Sequence, residues 1–213
     1  MPATFGSVRR GDKADAGLFS RWFRSGRRHP AFVLVALLAI ASSSIALVDV
    51  TDFYFSSDNF CAKACHIMES TVYQELQQSK HWNSPSGVRP LCADCHVSGR
   101  LSFAMMDHFV GTGELFVWLT HDLSTPESFE PLRPAAANRV RMEMLKNDSE
   151  RCRDCHLMEA IQPKKKRGQR MHANAIEEGT TCIACHYNLV HKEVEPSKEF
   201  LDAIEASEAR PPA

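Results

Sequence analysis

The chain has 213 residues, 25 Lys and Arg against 26 Asp and Glu, a net charge of −1, and 44% hydrophobic content. That length allows one or two ordinary domains, and the balanced charge offers no broad basic surface, so no nucleic-acid partner is expected. Eight cysteines are the informative part of the composition, because free thiols outside the cytoplasm oxidise unless something captures them.

Residues 1–30 are polar and basic, with Arg9, Arg10, Lys13, Arg21, Arg24, Arg27 and Arg28 against Asp12 and Asp15. From Ala31 to Val48 there is no charge, and only Ser42, Ser43 and Ser44 interrupt the apolar run. As a helix at about 1.5 Å per residue this covers about 27 Å, one hydrocarbon thickness. A cleaved signal peptide is the alternative. The run is longer than a signal's apolar centre, however, and it ends at Val48-Asp49 without a small-x-small site, Ala41-Ser42-Ser43 coming nearest. We therefore expect a single uncleaved span at 31–48 in a bacterial inner membrane. The preceding arginines put residues 1–30 in the cytoplasm, a domain at 49–195 in the periplasm, and a tail at 196–213. Trp22, Phe23, Phe53, Tyr54 and Phe55 suit the two lipid interfaces; His29 is read as a surface residue.

Cys92-Ala93-Asp94-Cys95-His96, Cys152-Arg153-Asp154-Cys155-His156 and Cys182-Ile183-Ala184-Cys185-His186 each match C-x-x-C-H, the c-type haem attachment motif. Two thiols on one turn can each form a thioether to a haem vinyl group, and the following histidine reaches the iron. Phe60-Cys61-Ala62-Lys63-Ala64-Cys65-His66-Ile67-Met68 is a fourth copy, one residue longer, with a methionine two residues beyond its histidine. A zinc site or redox dithiols could explain one copy, but four copies that use all eight cysteines imply four c-type haems. Porphyrin then fills much of the interior, and the expected fold is mostly α with extensive irregular loops and a small aliphatic core. The 61/92 and 152/182 spacings resemble each other, which suggests two di-haem halves.

Between the motifs, Glu69–Lys80 reads as a helix delivering His81 to a turn-rich loop. Arg100–Thr120 reads as a long apolar helix, interrupted at Gly111 and Gly113, that serves as core or rests on the membrane. A Pro-containing linker from Ser124-Thr125-Pro126 to Pro134 divides the soluble part, and Ala135–Lys146 and Gln169–Glu178 read as helices, the second stopped by Gly179. Lys164-Lys165-Lys166-Arg167 is read as a solvated loop, and a short exposed helix follows Pro196. Six histidines lie outside the motifs. His81, His172 and His191 stand at helix ends or just after a motif and are the natural supply of second axial ligands, while His121 is read as structural. Three such ligands for four haems leave one position short.

From about Arg21 to Val194 the sequence resembles the NapC/NirT family of membrane-anchored tetrahaem quinol dehydrogenases. The residues that carry the resemblance are Phe60-Cys61 through Met68, Thr71-Val72-Tyr73-Gln74-Glu75, Ser86-Gly87-Val88-Arg89, the second motif with Val97, Thr125-Pro126 with Phe129-Glu130, the third motif, Met171-His172, and Thr181 through His186 with His191. The resemblance implies His191 opposite His96 on haem 2, His81 opposite His156 on haem 3, and His172 opposite His186 on haem 4. Haem 1 is left with His66 or Met68 and an open face. His108 stands where the family often has a lysine near the quinol, and Glu114 where it has an acidic residue. Both are candidates to hydrogen-bond the quinol and take its protons. Glu114 also fits a solvated helix carboxylate. The longer first motif, His108 in place of lysine, and Val97-Ser98-Gly99 in place of the usual Pro-His depart from the pattern.

The expected function is electron transfer from ubiquinol or menaquinol to a periplasmic redox enzyme or cytochrome, a reductase in nitrogen-oxide respiration, by a protein held in membrane lipid and compatible with homo-oligomers. Two other readings are the reverse flow, from a periplasmic oxidising enzyme to quinone, and reduction of a small oxide at an open haem.

Overall fold

The computed structural model describes residues 30–208; the basic stretch with Trp22, Phe23 and His29, and residues 209–213, lie outside the described residues. The chain divides into two compact units, 1–50 and 51–213. The first contributes most of helix α1, Pro30–Phe55, whose proline occupies the first helical position, where its missing N–H costs nothing. Ser44 Oγ donates to the Ile40 carbonyl at 2.9 Å, so this hydroxyl is satisfied within the apolar stretch. The helix runs past Val48 through Asp49 and Asp52 to Phe55, because no glycine or proline ends it there. Its 26 residues reach about 39 Å, more than a hydrocarbon core needs.

No strand occurs among the described residues of the second unit. Its helices are α2 (Asp58–Cys61), α3 (His66–Ser70), α4 (Val72–Gln78), α5 (Cys92–His96), α6 (Leu101–Thr120), α7 (Pro126–Phe129), α8 (Arg133–Lys146), α9 (Glu150–Arg153), α10 (Lys166–Glu178), α11 (Cys182–Cys185) and α12 (Lys198–Glu208). The expected helix over 69–80 is two: Thr71 breaks it at φ −124°, ψ −96°, and its hydroxyl donates to the Ile67 carbonyl. The expected interruption at Gly111 and Gly113 is absent: the helix runs through both, and nothing packs against either glycine to impose a bend. Lys166 and Arg167 form the first turn of α10 rather than loop.

Among the described residues the buried apolar side chains are few: Ala62, Ala104 and Ala184 with Ile67, Leu76, Ile183 and Phe200. Phe200 makes α12 a packed element and not simply an exposed one. Fully buried, it stacks edge-on against Tyr187, and the Arg141 guanidinium lies over both rings at 5.2 and 5.9 Å. Arg141 also donates to Asn188 Oδ1 and the Val194 carbonyl, each at 2.8 Å, which closes the C-terminal segment onto α8.

Candidate functional site

The motif cysteines sit on or beside one-turn helices, which is why a two-residue spacer aims both thiols to one side. In the first motif Cys61 ends α2 and Cys65 caps α3, and the extra residue is absorbed in the turn between them, where Ala62 is 1% exposed. Side chains tie the motifs together in sequence order. Asp58 Oδ1 accepts the Cys92 N–H at 3.0 Å, joining the first to the second. Arg151 Nε donates to the Asp94 carbonyl at 3.1 Å, joining the third to the second. Ser149 Oγ accepts the Ile183 N–H at 3.0 Å and bonds Thr181 Oγ1 at 2.6 Å, joining third to fourth. The thiols neighbour one another in the same order, Cys61 by Cys92, Cys95 by Cys155 and Cys152, and Cys152 by Cys182.

Three imidazole pairs face each other across this row. The His81 and His156 ring centres are 6.3 Å apart at 90°, those of His96 and His191 6.2 Å at 35°, and those of His172 and His186 6.1 Å at 28°. An imidazole nitrogen bonds a first-row metal at about 2 Å with its ring centre about 1 Å behind, so two rings on opposite faces of one iron stand roughly 6 Å apart. All three separations fit a haem held between a motif histidine and a distal one. His172 Nδ1 lies 2.9 Å from the Gly168 carbonyl, which as acceptor fixes the tautomer and leaves Nε2 for a metal. Desolvation lowers the His81, His186 and His191 pKa values. His96, crowded by protein on most sides although part of the residue meets solvent, is lowered to about 4, first by desolvation and then by His191. These shifts favour the neutral imidazole, the form a metal ligand takes.

The thiols point the same way. Burial, then Asp58, pushes Cys92 up to about 12, and burial raises Cys152 to about 11. Such surroundings suit an uncharged thioether better than a zinc thiolate. All eight cysteines are unpaired, and no group of three metal-ligating side chains exists among the described residues.

His66 has no imidazole facing it among the described residues; it is exposed, and Met68 half-buried. His108 packs on Phe55 with ring centres 6.0 Å apart, and its Nδ1 stands 3.7 Å from Asp52 Oδ1. His108 Nε2 and Asp52 Oδ1 are both closed to solvent and without a hydrogen bond. Glu114 instead pairs with Arg139 at 2.5 Å, both side chains more than half exposed. Six residues apart on one helix, His108 and Glu114 are about 9 Å apart along the axis and on different sides of it, so they do not face one point. Asp52 escaped the sequence reading. Its signal was an acid in the last turn of a helix that outlasts its apolar run.

Comparison with known proteins places these features. Residues 25–196 match the model of the NapC/NirT cytochrome c family, N-terminal region. Cytochrome c-type protein NapC of Escherichia coli (strain K12) is 37% identical over 148 residues, 66% of this chain and 74% of the relative. A probable tetraheme cytochrome c-type of Nitrosomonas europaea is 39% identical over 163 residues, 75% of this chain and 67% of the relative. The denitrification system component NirT of Stutzerimonas stutzeri is 34% identical over 138 residues, 64% of this chain and 68% of the relative. No solved structure matches the chain. With four haem-attachment motifs and, among the described residues, three facing imidazole pairs and one apolar helix long enough to span a membrane, the chain belongs to the NapC/NirT cytochrome c family, as a membrane-anchored tetrahaem c-type cytochrome of electron transport.

Proposed function

We propose that the chain takes electrons from a quinol at the first motif and passes them through motifs two, three and four to a periplasmic reductase of nitrogen-oxide respiration. The observation that carries this reading is the contrast between one end of the row and the rest. His96 with His191, His156 with His81, and His186 with His172 are spaced as axial pairs, whereas the first motif has only His66 or Met68 on its side. That motif also begins six residues after the span ends, and Cys61 Sγ donates to the Phe55 carbonyl at 3.2 Å. The haem groups, when bound, supply one-electron carriers whose chemistry is their own. The protein holds them in order, through the Asp58, Arg151 and Ser149 bonds.

At the quinol end, His108 is the proposed proton acceptor. A quinol hydroxyl would donate to Nε2 once the packing that closes this atom from solvent opens, and Asp52 would stabilise the imidazolium that forms. Glu114 could take this role only by leaving Arg139. The partner proposal rests on the relative whose name places it in a denitrification system. Orientation follows from the basic residues before Pro30, which put the haem domain outside the cytoplasm.

The test is anaerobic mixing of the detergent-held protein with ubiquinol or menaquinol while haem absorbance is followed. Fast reduction, slowed at least tenfold in His108→Ala and Asp52→Asn, is the expected result. No reduction by either quinol, with rapid reoxidation of pre-reduced protein by quinone, would reverse the proposed flow.

A further inference from the structure

Glu75, on α4, is the hub of a network that closes around His191. Arg133 Nη2 and Nη1 donate to its two oxygens at 2.7 and 3.1 Å, a bidentate pair, and the Lys192 N–H donates to Oε2 at 3.0 Å. Glu130 braces the far side, accepting from Arg133 at 3.0 Å and from Lys192 Nζ at 2.7 Å. Arg133 is 7% exposed in its side chain and Glu75 22%, so this charge cluster is screened far less than a surface pair. The His191 ring lies directly on the hub. Its Nδ1 is closed to solvent, makes no hydrogen bond, and stands 3.5 Å from Glu75 Oε2, with the Val72 carbonyl near the same ring.

A histidine that binds a metal through one nitrogen donates its other N–H outward, and the acceptor sets both ring orientation and ligand basicity. Within this chain the two nearly parallel imidazole pairs differ at that acceptor. His172 has only a neutral carbonyl, Gly168, whereas His191 has the Glu75 carboxylate beside the Val72 carbonyl. Resting on the proposed assignment of His191 to haem 2, we infer that Glu75 is a positioning residue for that ligand. It receives the His191 Nδ1–H, fixes the tautomer that presents Nε2 to iron, and by making the imidazole more electron-rich favours the ferric state of haem 2. Haem 2 is thereby held at lower potential than it would have with a carbonyl acceptor such as the one at haem 4.

Redox titration of the full-length holoprotein, followed by low-temperature EPR at poised potentials, tests this with Glu75→Gln, Glu75→Asp, Glu130→Gln and His191→Ala. The low-spin signal lost in His191→Ala identifies haem 2. In Glu75→Gln that same signal should titrate at higher potential by about a tenfold change in the reduction equilibrium, about 59 mV for one electron. Its g values should shift as well. Glu75→Asp, which keeps the charge but withdraws it by one methylene, should move the signal the same way by less; it also serves if Glu75→Gln fails to accumulate. Glu130→Gln removes a brace that does not face His191 and should leave haem 2 in place. An unmoved haem 2 signal in both Glu75 variants, or an equal shift in Glu130→Gln, would overturn the role of Glu75. Retention of every low-spin signal in His191→Ala would instead overturn the ligand assignment beneath it.

Discussion

Histidine ring planes give the residue-scale account its sharpest test. Parallel axial imidazoles split the two iron d orbitals that extend out of the porphyrin plane and overlap the imidazole π systems, whereas perpendicular ones leave them nearly equal in energy. With interplanar angles of 35° and 28° at His96/His191 and His172/His186, and 90° at His81/His156, two ferric haems should give ordinary rhombic low-spin signals. The third should give a strongly axial signal with a single large g value. His81→Ala should remove only that axial signal, and His172→Ala only a rhombic one, each leaving a high-spin haem; EPR of the oxidised variants checks both. These histidines were legible in the sequence because three close a motif and the three distal ones stand at helix ends or just after a motif, where the family resemblance also implies ligands. Asp52 was hidden by the apolar run before it. Glu75 was visible as part of a matching stretch, but its role depends on a meeting with His191 across more than a hundred residues of chain, which no local pattern encodes.

At the scale of elements, the chain spends its polar side chains on joining short helices that have little apolar surface of their own. Asp148 and Ser149, at φ 55° and 53°, turn the backbone left-handed between α8 and α9, a conformation that residues with a Cβ adopt reluctantly. Arg153 bonds both the Asp148 carbonyl, at 2.9 Å, and its carboxylate, at 3.0 Å, while Ser149, 1% exposed, holds Thr181 and Ile183. Ser149→Ala leaves a buried N–H and a buried hydroxyl without this partner and should cost about 1–3 kcal/mol, read as a lower melting temperature with haem content unchanged. Gly179 caps α10 at φ 67° with open space around it, so Gly179→Ala should cost about 1 kcal/mol from backbone strain alone, measured the same way. The existence of the longer helices was legible from their periodicity and stop residues. The Thr71 break, the unbroken run through Gly111 and Gly113, and the burial of Phe200 were not, because each is decided by packing or its absence and not by local preference.

At the scale of the whole molecule, sequence and structure agree on a small protein core and a row of four cofactor sites, with the chain's length spent on ligands and ties between motifs. The exposed apolar face of α6, with Phe103, Phe109, Phe116 and Trp118, was open to two readings from sequence, and among the described residues of this helix only Ala104 is buried. Its side chains therefore contribute little to the aliphatic core. The proposed function rests on asymmetry: three haems closed by paired histidines and one, at the first motif, able to respond to a quinol. Low-temperature EPR of the oxidised protein before and after addition of a quinol analogue that cannot be oxidised tests this. Three low-spin signals should not move, and a fourth, distinct signal should shift when the analogue binds. Four paired-histidine signals, none of them altered by the analogue, would contradict it.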